Sequence, residues 1–376
     1  MLTGKYRNFI AAGAIKSLQL ALLNHCSWNN ILGLAECCFR VILMARGAED
    51  FGYREGPQLR NLEDMYMLAK KIKEGCCIGL IAPSFQLEGE NLGNYEKAKE
   101  FFLGKGYRLK EGKHIYDRWF GSAGTPQDRA EDMNAMFADP EVDAVICING
   151  GGSSSTMLEY VDFDIIKKNP KIFMGYSDIS VLNQAIWAKT GLVTFNGPLF
   201  MDFGGEKEQD EYYEAFCKRF MEGNRDLPKD ENAKCIKKGR AKAVALGTNI
   251  KCSMNLLGTP YAPDLNGKLL MAEAWTIPPY ECTVRFSQLK QAGILKNLKG
   301  IIVGYVYGLQ APEMTKGEEL PQMEDMLAEI VKEYDFPILK YNHFGHEIVN
   351  AIIPIGTEME MDAEKGTFEI TGQFIE

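Results

Sequence analysis

From Cys77 onward, short apolar runs alternate with amphipathic stretches, the pattern of parallel strands joined by helices. The runs "CIGLIAP", "YRLKE", "DAVICIN", "KIFMGYS" and "LVTFNGP" predict strands, and Tyr95 to Leu103, Gln127 to Phe137 and Ser180 to Lys189 predict helices between them. Such a βαβ series folds as an open, Rossmann-like parallel α/β sheet. Between Asp202 and Lys238 charge dominates and strand signals vanish, so a helix, a linker and a domain boundary are expected there. Beyond Ala241, "AKAVAL", "GKLLMAEA", "GIIVGYV" and "FPILKY" predict strands, with helices at Val284 to Ala292 and Gln322 to Tyr334. The chain ends on "TEMEMDAEKGTFEIT", which predicts an antiparallel hairpin. The expected organisation is an N-terminal extension (1–70), an α/β domain (71–205), a charged helix and linker (206–240) and a mixed β/α domain (241–376), with the active site between the two domains.

The first 64 residues carry apolar helical patches, Trp28 and three cysteines, with no pattern that joins them to later elements. Met65 and Met67 precede a short basic lead into the first strand and offer a natural beginning for a domain.

At 376 residues, 46% apolar and 25% charged, the chain is long enough for two domains with a sizeable core. A net charge of -9, without a basic block interleaved with aromatics, argues against a nucleic-acid partner. Ten cysteines occur singly or as adjacent pairs, never at zinc-ligand spacing, which suits a reducing cytosol and predicts no structural metal. The longest apolar candidate, Phe9 to Leu23, is interrupted by Lys16 and falls short of the roughly 18 residues of a membrane span, so no membrane partner is expected.

Candidate chemistry gathers where predicted strands end. "GYSD" stands at the carboxyl end of a strand, where α/β sheets build their sites. A serine lifted on such a turn exposes its hydroxyl while helix N–H groups face developing negative charge, so Ser177 is a candidate nucleophile; Ser177 or Asp178 as a plain helix cap is the competing explanation. The loop "INGGGSSST" leaves backbone amides uncovered at Gly150, Gly151 and Gly152, suited to a phosphate or an oxyanion, or simply to a flexible turn. It fits neither GxGxxG nor GxxxxGK[ST].

A serine needs a base, and the histidines are His25, His114, His343 and His346. The last two fall in "YNHFGHEIVN", expected to be a loop after "FPIL", where Gly345 permits a sharp turn that aims His346 across a domain interface. Glu273 in "GKLLMAEAW", the single charge after an apolar strand and just before "WTIPPY", suits an orienting acid, or else an edge-strand surface position. The order Ser, Glu, His matches α/β-hydrolases, but Ile179 replaces the second glycine of GxSxG.

Taken together, "GLIAPS", "GSAGTPQDRAEDMNAMFADPEVDAVICINGG", "LEYVDFDIIKKNPKIFMGYSDISVL", "FNGP", "NLLGTPYAPDLNGKLLMAE" and "FGHEIVNAIIPIG" resemble the LD-carboxypeptidase family of serine peptidases, which includes the microcin C self-immunity proteins. The resemblance runs from about Lys71 to the C-terminus. It implies Ser177 as nucleophile, His346 as general base and Glu273 as the acid that orients it. It also implies an oxyanion hole built from the amide of Asp178 and an amide of Gly150 to Gly152, foremost Gly151. The chain departs from the family in having Gly152 and three serines where an aromatic commonly follows the paired glycines, and Ala274 and Trp275 after the glutamate. Trp275 beside the acid would stack on a nucleobase or sugar-peptide, or pack under the linker.

The implied activity is hydrolysis of an L,D amide bond at the C-terminus of a short peptide, releasing D-alanine from a muropeptide tetrapeptide in cytoplasmic peptidoglycan recycling, with no cofactor and as a homodimer. Two alternatives are an immunity hydrolase that cleaves an aspartyl-nucleotide amide and a non-catalytic module that binds small ligands.

Overall fold

The computed structural model describes residues 66–205 and 209–376; the expectations for the first 64 residues, His25 and Trp28 included, lie outside them. The first sheet contains β1 (Cys77–Ile81), β2 (Arg108–Glu111), β3 (Ala144–Cys147), β4 (Ile172–Met174) and β5 (Thr194–Asn196), all parallel. Between them run α1 (Gly89–Gly104), α2 (Pro126–Ala138), α3 (Phe163–Lys168) and α4 (Ser180–Thr190). Apart from β2, these strands are buried along their whole length, as a parallel sheet covered on both faces requires. The helix α2 starts on a reciprocal cap: Thr125 accepts from the Asp128 amide while Asp128 accepts from the Thr125 amide.

After α5 (Gln209–Cys217) the second sheet is built from β6 (Lys234–Lys237), β7 (Arg240–Asn249), β8 (Leu269–Ala274), β9 (Gly300–Val306) and β10 (Ile338–Gly345). The helices α6 (Pro279–Gln291) and α7 (Met323–Ile330) cover it. The chain closes with β11 (Ile353–Ile355) and the expected antiparallel hairpin of β12 (Glu358–Asp362) and β13 (Thr367–Ile370). Strand order in this sheet is β13-β12-β7-β8-β9-β10-β6, so β8 is central.

Three features depart from the sequence reading. The charged stretch holds a strand, β6, whose lysines suit the short edge position it occupies. The strand β10 runs through His343 to Gly345, so "YNHFG" is not a loop. The short run "IPI" forms β11, which leaves the second half of the chain and adds antiparallel to β5 at the edge of the first sheet. An edge is where a strand tolerates a proline such as Pro354.

The two sheets share one hydrophobic core. Leu80, Ile146 and Phe195 of the first pack in the same cluster as Leu246, Met271 and Leu339 of the second. Separate clusters lie under α2 and α4 (Met133, Phe137, Leu182) and under α6 and α7 (Phe286, Leu289, Leu327).

Candidate active site

Ser177 stands on the turn between β4 and α4 with φ of 63°, a left-handed conformation uncommon outside glycine. Neither Ser177 nor Asp178 is a helix cap. The single 3₁₀ turn Ser177–Ile179 is preceded by Tyr176 and α4 by Ile179, neither of which makes a side-chain cap bond. The turn is held from below instead. Ser180 Oγ donates to the Ser177 carbonyl (2.6 Å), accepts from the Asn249 amide (3.2 Å) and touches Thr248 Oγ1. The end of β7 is thereby fastened to the serine turn of the other sheet.

That fastening brings Glu273 into place, because Asn249 pairs with Glu273 in the β7–β8 register. The β8–β9 register shifts between Ala272 and Ala274, the kind of irregularity that re-aims a side chain beside a site. Glu273 is 2% exposed in the central strand, which disposes of the edge-strand explanation. Gly345 makes the turn that delivers His346: its φ is 152°, and a Cβ there would lie 2.3 Å from the Tyr305 carbonyl oxygen.

His346 Nδ1 lies 2.8 Å from Glu273 Oε2, and His346 Nε2 lies 2.9 Å from Ser177 Oγ. Strands of two sheets thus present a serine, an imidazole and a buried carboxylate in one hydrogen-bonded line. The other Glu273 oxygen, Oε1, is buried without a hydrogen-bond partner, so His346 Nδ1 is the carboxylate's one hydrogen-bond contact among the described residues. Two rings flank His346: Tyr176, 5.1 Å away between centroids, and Trp275, 6.5 Å away. Burial pushes the Tyr176 phenol well up, so the ring stays neutral. Trp275 is 53% exposed and is therefore not packed under a linker.

The glycine loop lies against the serine: a Cβ on Gly150 would sit 3.1 Å from Ser177 Cβ. Gly151, with φ of 152°, has its missing Cβ site filled by Ser84 Oγ and the Phe85 ring, 2.4 and 2.5 Å away. Asp178 turns its side chain into this loop, where Oδ2 accepts from Ser84 Oγ (2.6 Å) and the Ser154 amide (2.8 Å). Ser154 Oγ returns a bond to the Asp178 carbonyl (2.9 Å). From beneath, Arg129 donates to the carbonyls of Pro83 (2.8 Å) and Ser153 (3.0 Å) and to Thr156 Oγ1 (2.8 Å). The two amide sources expected of an oxyanion hole are thus tied together.

The sequence reading missed Ser84, Arg129, Ser154 and Tyr176. Ser84 carried a usable signal, since it follows β1 at the carboxyl end of the sheet. Arg129, a charge within the predicted helix Gln127 to Phe137, carries no such signal, and only the fold turns it inward. Of the remaining histidines, His343 contacts the Lys229 carbonyl (3.3 Å), while His114 bonds Asp117 (2.7 Å) with Asp128 and Glu131 nearby. The Cys252 thiol is pushed far up by burial, then by the Asp178 and Glu273 carboxylates, so it is no rival nucleophile. Among the described residues no helix is long and apolar enough to cross a membrane.

Known proteins share this arrangement of halves. Residues 78–197 match the model of the LD-carboxypeptidase N-terminal domain, and 242–361 that of the C-terminal domain. A probable murein peptide carboxypeptidase of Bacillus subtilis is 31% identical over 300 residues, covering 79% of this chain and 92% of the relative. The microcin C7 self-immunity protein MccF of Escherichia coli is 26% identical, covering 82% and 97%. In fold, the chain resembles the solved structure of MccF in complex with aspartyl sulfamoyl adenosine, with a TM-score of 0.75 at 24% identity, covering 82% of this chain and 100% of that one. With both family domains matched in order and a relative above 30% identity aligned over nearly its full length, the chain belongs to the LD-carboxypeptidase family.

Proposed function

We propose that this protein is a serine peptidase that removes the C-terminal residue of a murein tetrapeptide by hydrolysing an L,D amide bond, with Ser177, His346 and Glu273 as its catalytic residues. The observation that carries this reading is the continuous line Ser177 Oγ, His346 Nε2, His346 Nδ1, Glu273 Oε2, at 2.9 and 2.8 Å. The murein peptide comes from the name of the Bacillus subtilis relative.

In this mechanism the Ser177 hydroxyl donates to His346 Nε2 and passes its proton there as Oγ attacks the scissile carbonyl. The Nδ1–H of His346 donates to Glu273 Oε2, which fixes the ring and stabilises the imidazolium. The amides of Asp178 and Gly151 receive the oxyanion, a contribution of about 3 kcal/mol per donor. His346 then gives its proton to the leaving amine, and a water activated by His346 cleaves the acyl-enzyme. We further infer a cytoplasmic homodimer, as the family resemblance implies.

One observation favours a second substrate. Trp275 exposes an indole beside His346, the group that hands a proton to the leaving amine, and a nucleotide leaving group would stack there. Cleavage of an aspartyl nucleotide amide, in the manner suggested by the MccF complex, is that second reading. The test is incubation with murein tetrapeptide and, separately, aspartyl sulfamoyl adenosine, with products followed by mass spectrometry beside Ser177→Ala protein. Loss of terminal D-alanine in the wild type alone is expected. Cleavage of the adenosine compound alone moves the assignment to the second reading, and cleavage of neither overturns both.

A further inference from the structure

The turn that backs the glycine loop carries apolar surface that catalysis does not use. Phe85 is half exposed beside Gly151 and Gly152, and Phe120, 91% exposed, packs edge-on against Trp119 with ring centroids 4.8 Å apart. Phe120 also has φ of 46°, so a large ring is held out to solvent on a left-handed residue where glycine or asparagine would fit more easily. Burial in the core explains none of the three.

Their backbones form a ladder that starts at the site. The Phe85 amide donates to the Gly150 carbonyl (3.2 Å), Phe85 bridges antiparallel to Ser122, and Ser122 bridges to Trp119. Ser122 Oγ donates to Ser153 Oγ (2.8 Å), so the turn is pinned to the same loop. Each rung of such a ladder spans about 4.8 Å, which sets Trp119 on the order of 15 Å from Gly150.

Direction follows from the chemistry. His346 must reach the leaving amine, so the leaving group lies on the His346 and Trp275 side, and the acyl portion runs the other way along the glycine loop. In a murein tetrapeptide the acyl portion has three residues, about 10 Å when extended, and ends on an amino sugar. We propose that Phe85, Trp119 and Phe120 form an acyl-side subsite in which the last two rings receive the apolar face of that sugar, so that the enzyme prefers sugar-linked tetrapeptide to the free peptide. This rests on the tetrapeptide reading above. The C–H groups of a pyranose face are suited to the electron-rich faces of aromatic rings, and an exposed pair continuous with a catalytic loop is where apolar surface signals binding.

The test compares kcat/KM for muramoyl-tetrapeptide and for the sugar-free tetrapeptide in wild-type protein and in a Trp119→Ala/Phe120→Asn double variant. Asparagine tolerates the left-handed turn, and matching thermal unfolding of the two proteins verifies the fold. Two aromatic contacts correspond to a preference of about tenfold. The wild type should show it, the double variant should lose it, and Trp275→Ala should retain it. A wild-type ratio near one, or a ratio that survives in the double variant, overturns the subsite while leaving the tetrapeptide activity standing. If neither tetrapeptide is cleaved, the activity reading fails, and calorimetry with Ser177→Ala protein decides the subsite. Saturable binding of muramoyl-tetrapeptide that the added Trp119→Ala/Phe120→Asn changes weaken keeps it, and no binding overturns it.

Discussion

Replacing Glu273 with glutamine separates catalysis from stability at this site. The carboxylate accepts from His346 Nδ1 at 2.8 Å, and its other oxygen has no hydrogen-bond partner. Glutamine has nearly the same shape but carries an NH₂ that can donate to Nδ1. The ring would then carry its proton on Nε2, pointing at Ser177, and could no longer accept the serine proton. The imidazolium would also lose the buried carboxylate hydrogen-bonded to it. For the equivalent change in a serine protease triad the loss is about 10⁴ in kcat, close to 5.5 kcal/mol of barrier. Stability should move the other way or stay level, because a carboxylate 2% exposed with one partner is expensive to bury and a neutral amide is less so. The assay pairs initial rates of tetrapeptide hydrolysis with urea unfolding. A rate within tenfold of wild type, in a folded variant, would refute Glu273 as the residue that orients His346.

Arg129→Met keeps the length of the side chain but removes its bonds to Pro83, Ser153 and Thr156. It should lower kcat tenfold or more with KM little changed, and stability by about 1–3 kcal/mol for the Pro83 carbonyl left unpaired, since the Ser153 carbonyl keeps the Thr156 amide and hydroxyl; the two are measured by steady-state kinetics and urea unfolding. Lys340 and Glu324 lie 3.4 Å apart at 1% and 2% exposure, and burial draws the lysine pKa down to about 8 against the pull of Glu324. Lys340→Met strands the carboxylate and should cost about 3–5 kcal/mol in denaturant unfolding, most of it recovered in Lys340→Met/Glu324→Leu. Burial alone would lower the His114 pKa, but the hydrogen bond to Asp117 and the Asp132 and Asp128 charges raise it above its ordinary 6.5. Its contribution to stability is full below that value and fades as pH rises through the higher folded one, so stability followed by urea unfolding from about pH 6 upward should fall less steeply in His114→Gln.

Residues whose role follows from local chain geometry were readable in the sequence. Ser177 announces itself at a strand end beside turn-forming neighbours, Gly345 as a turn glycine before a histidine, although in an expected loop, and Glu273 as one charge in an apolar run. The predicted strands from Cys77 to Asn196 all occur: the buried ones are written as continuous apolar runs, and β2, at the sheet edge, as a mixed one. What escaped were pairings between distant segments. Three residues with a proline in the middle do not read as a strand, and β11 exists only because β5 offers it an open edge. Asp178 shows the same limit: it reads as a helix cap, but it is the Ser84 and Ser154 donors, far off in sequence, that determine where its carboxylate points.

These long-range pairings also bear on how the site is kept in register. A serine from one sheet and a histidine and glutamate from another would, across an ordinary domain junction, depend on closure to meet. Here Met65 to Glu376 forms one compact unit, with a single apolar cluster running between the sheets. Ser180 bonds the serine turn to the end of β7, one strand from Glu273. Immediately after delivering His346, the chain crosses over as β11 and pairs with β5, which neighbours the strand that carries Ser177. The histidine is therefore anchored on both sides, by β10 to the sheet of its acid and by β11 to the sheet of its nucleophile. Hinge motion between the sheets would have to break both anchors, so the 2.9 Å approach of Nε2 to Oγ is a property of the folded core rather than of a closing movement.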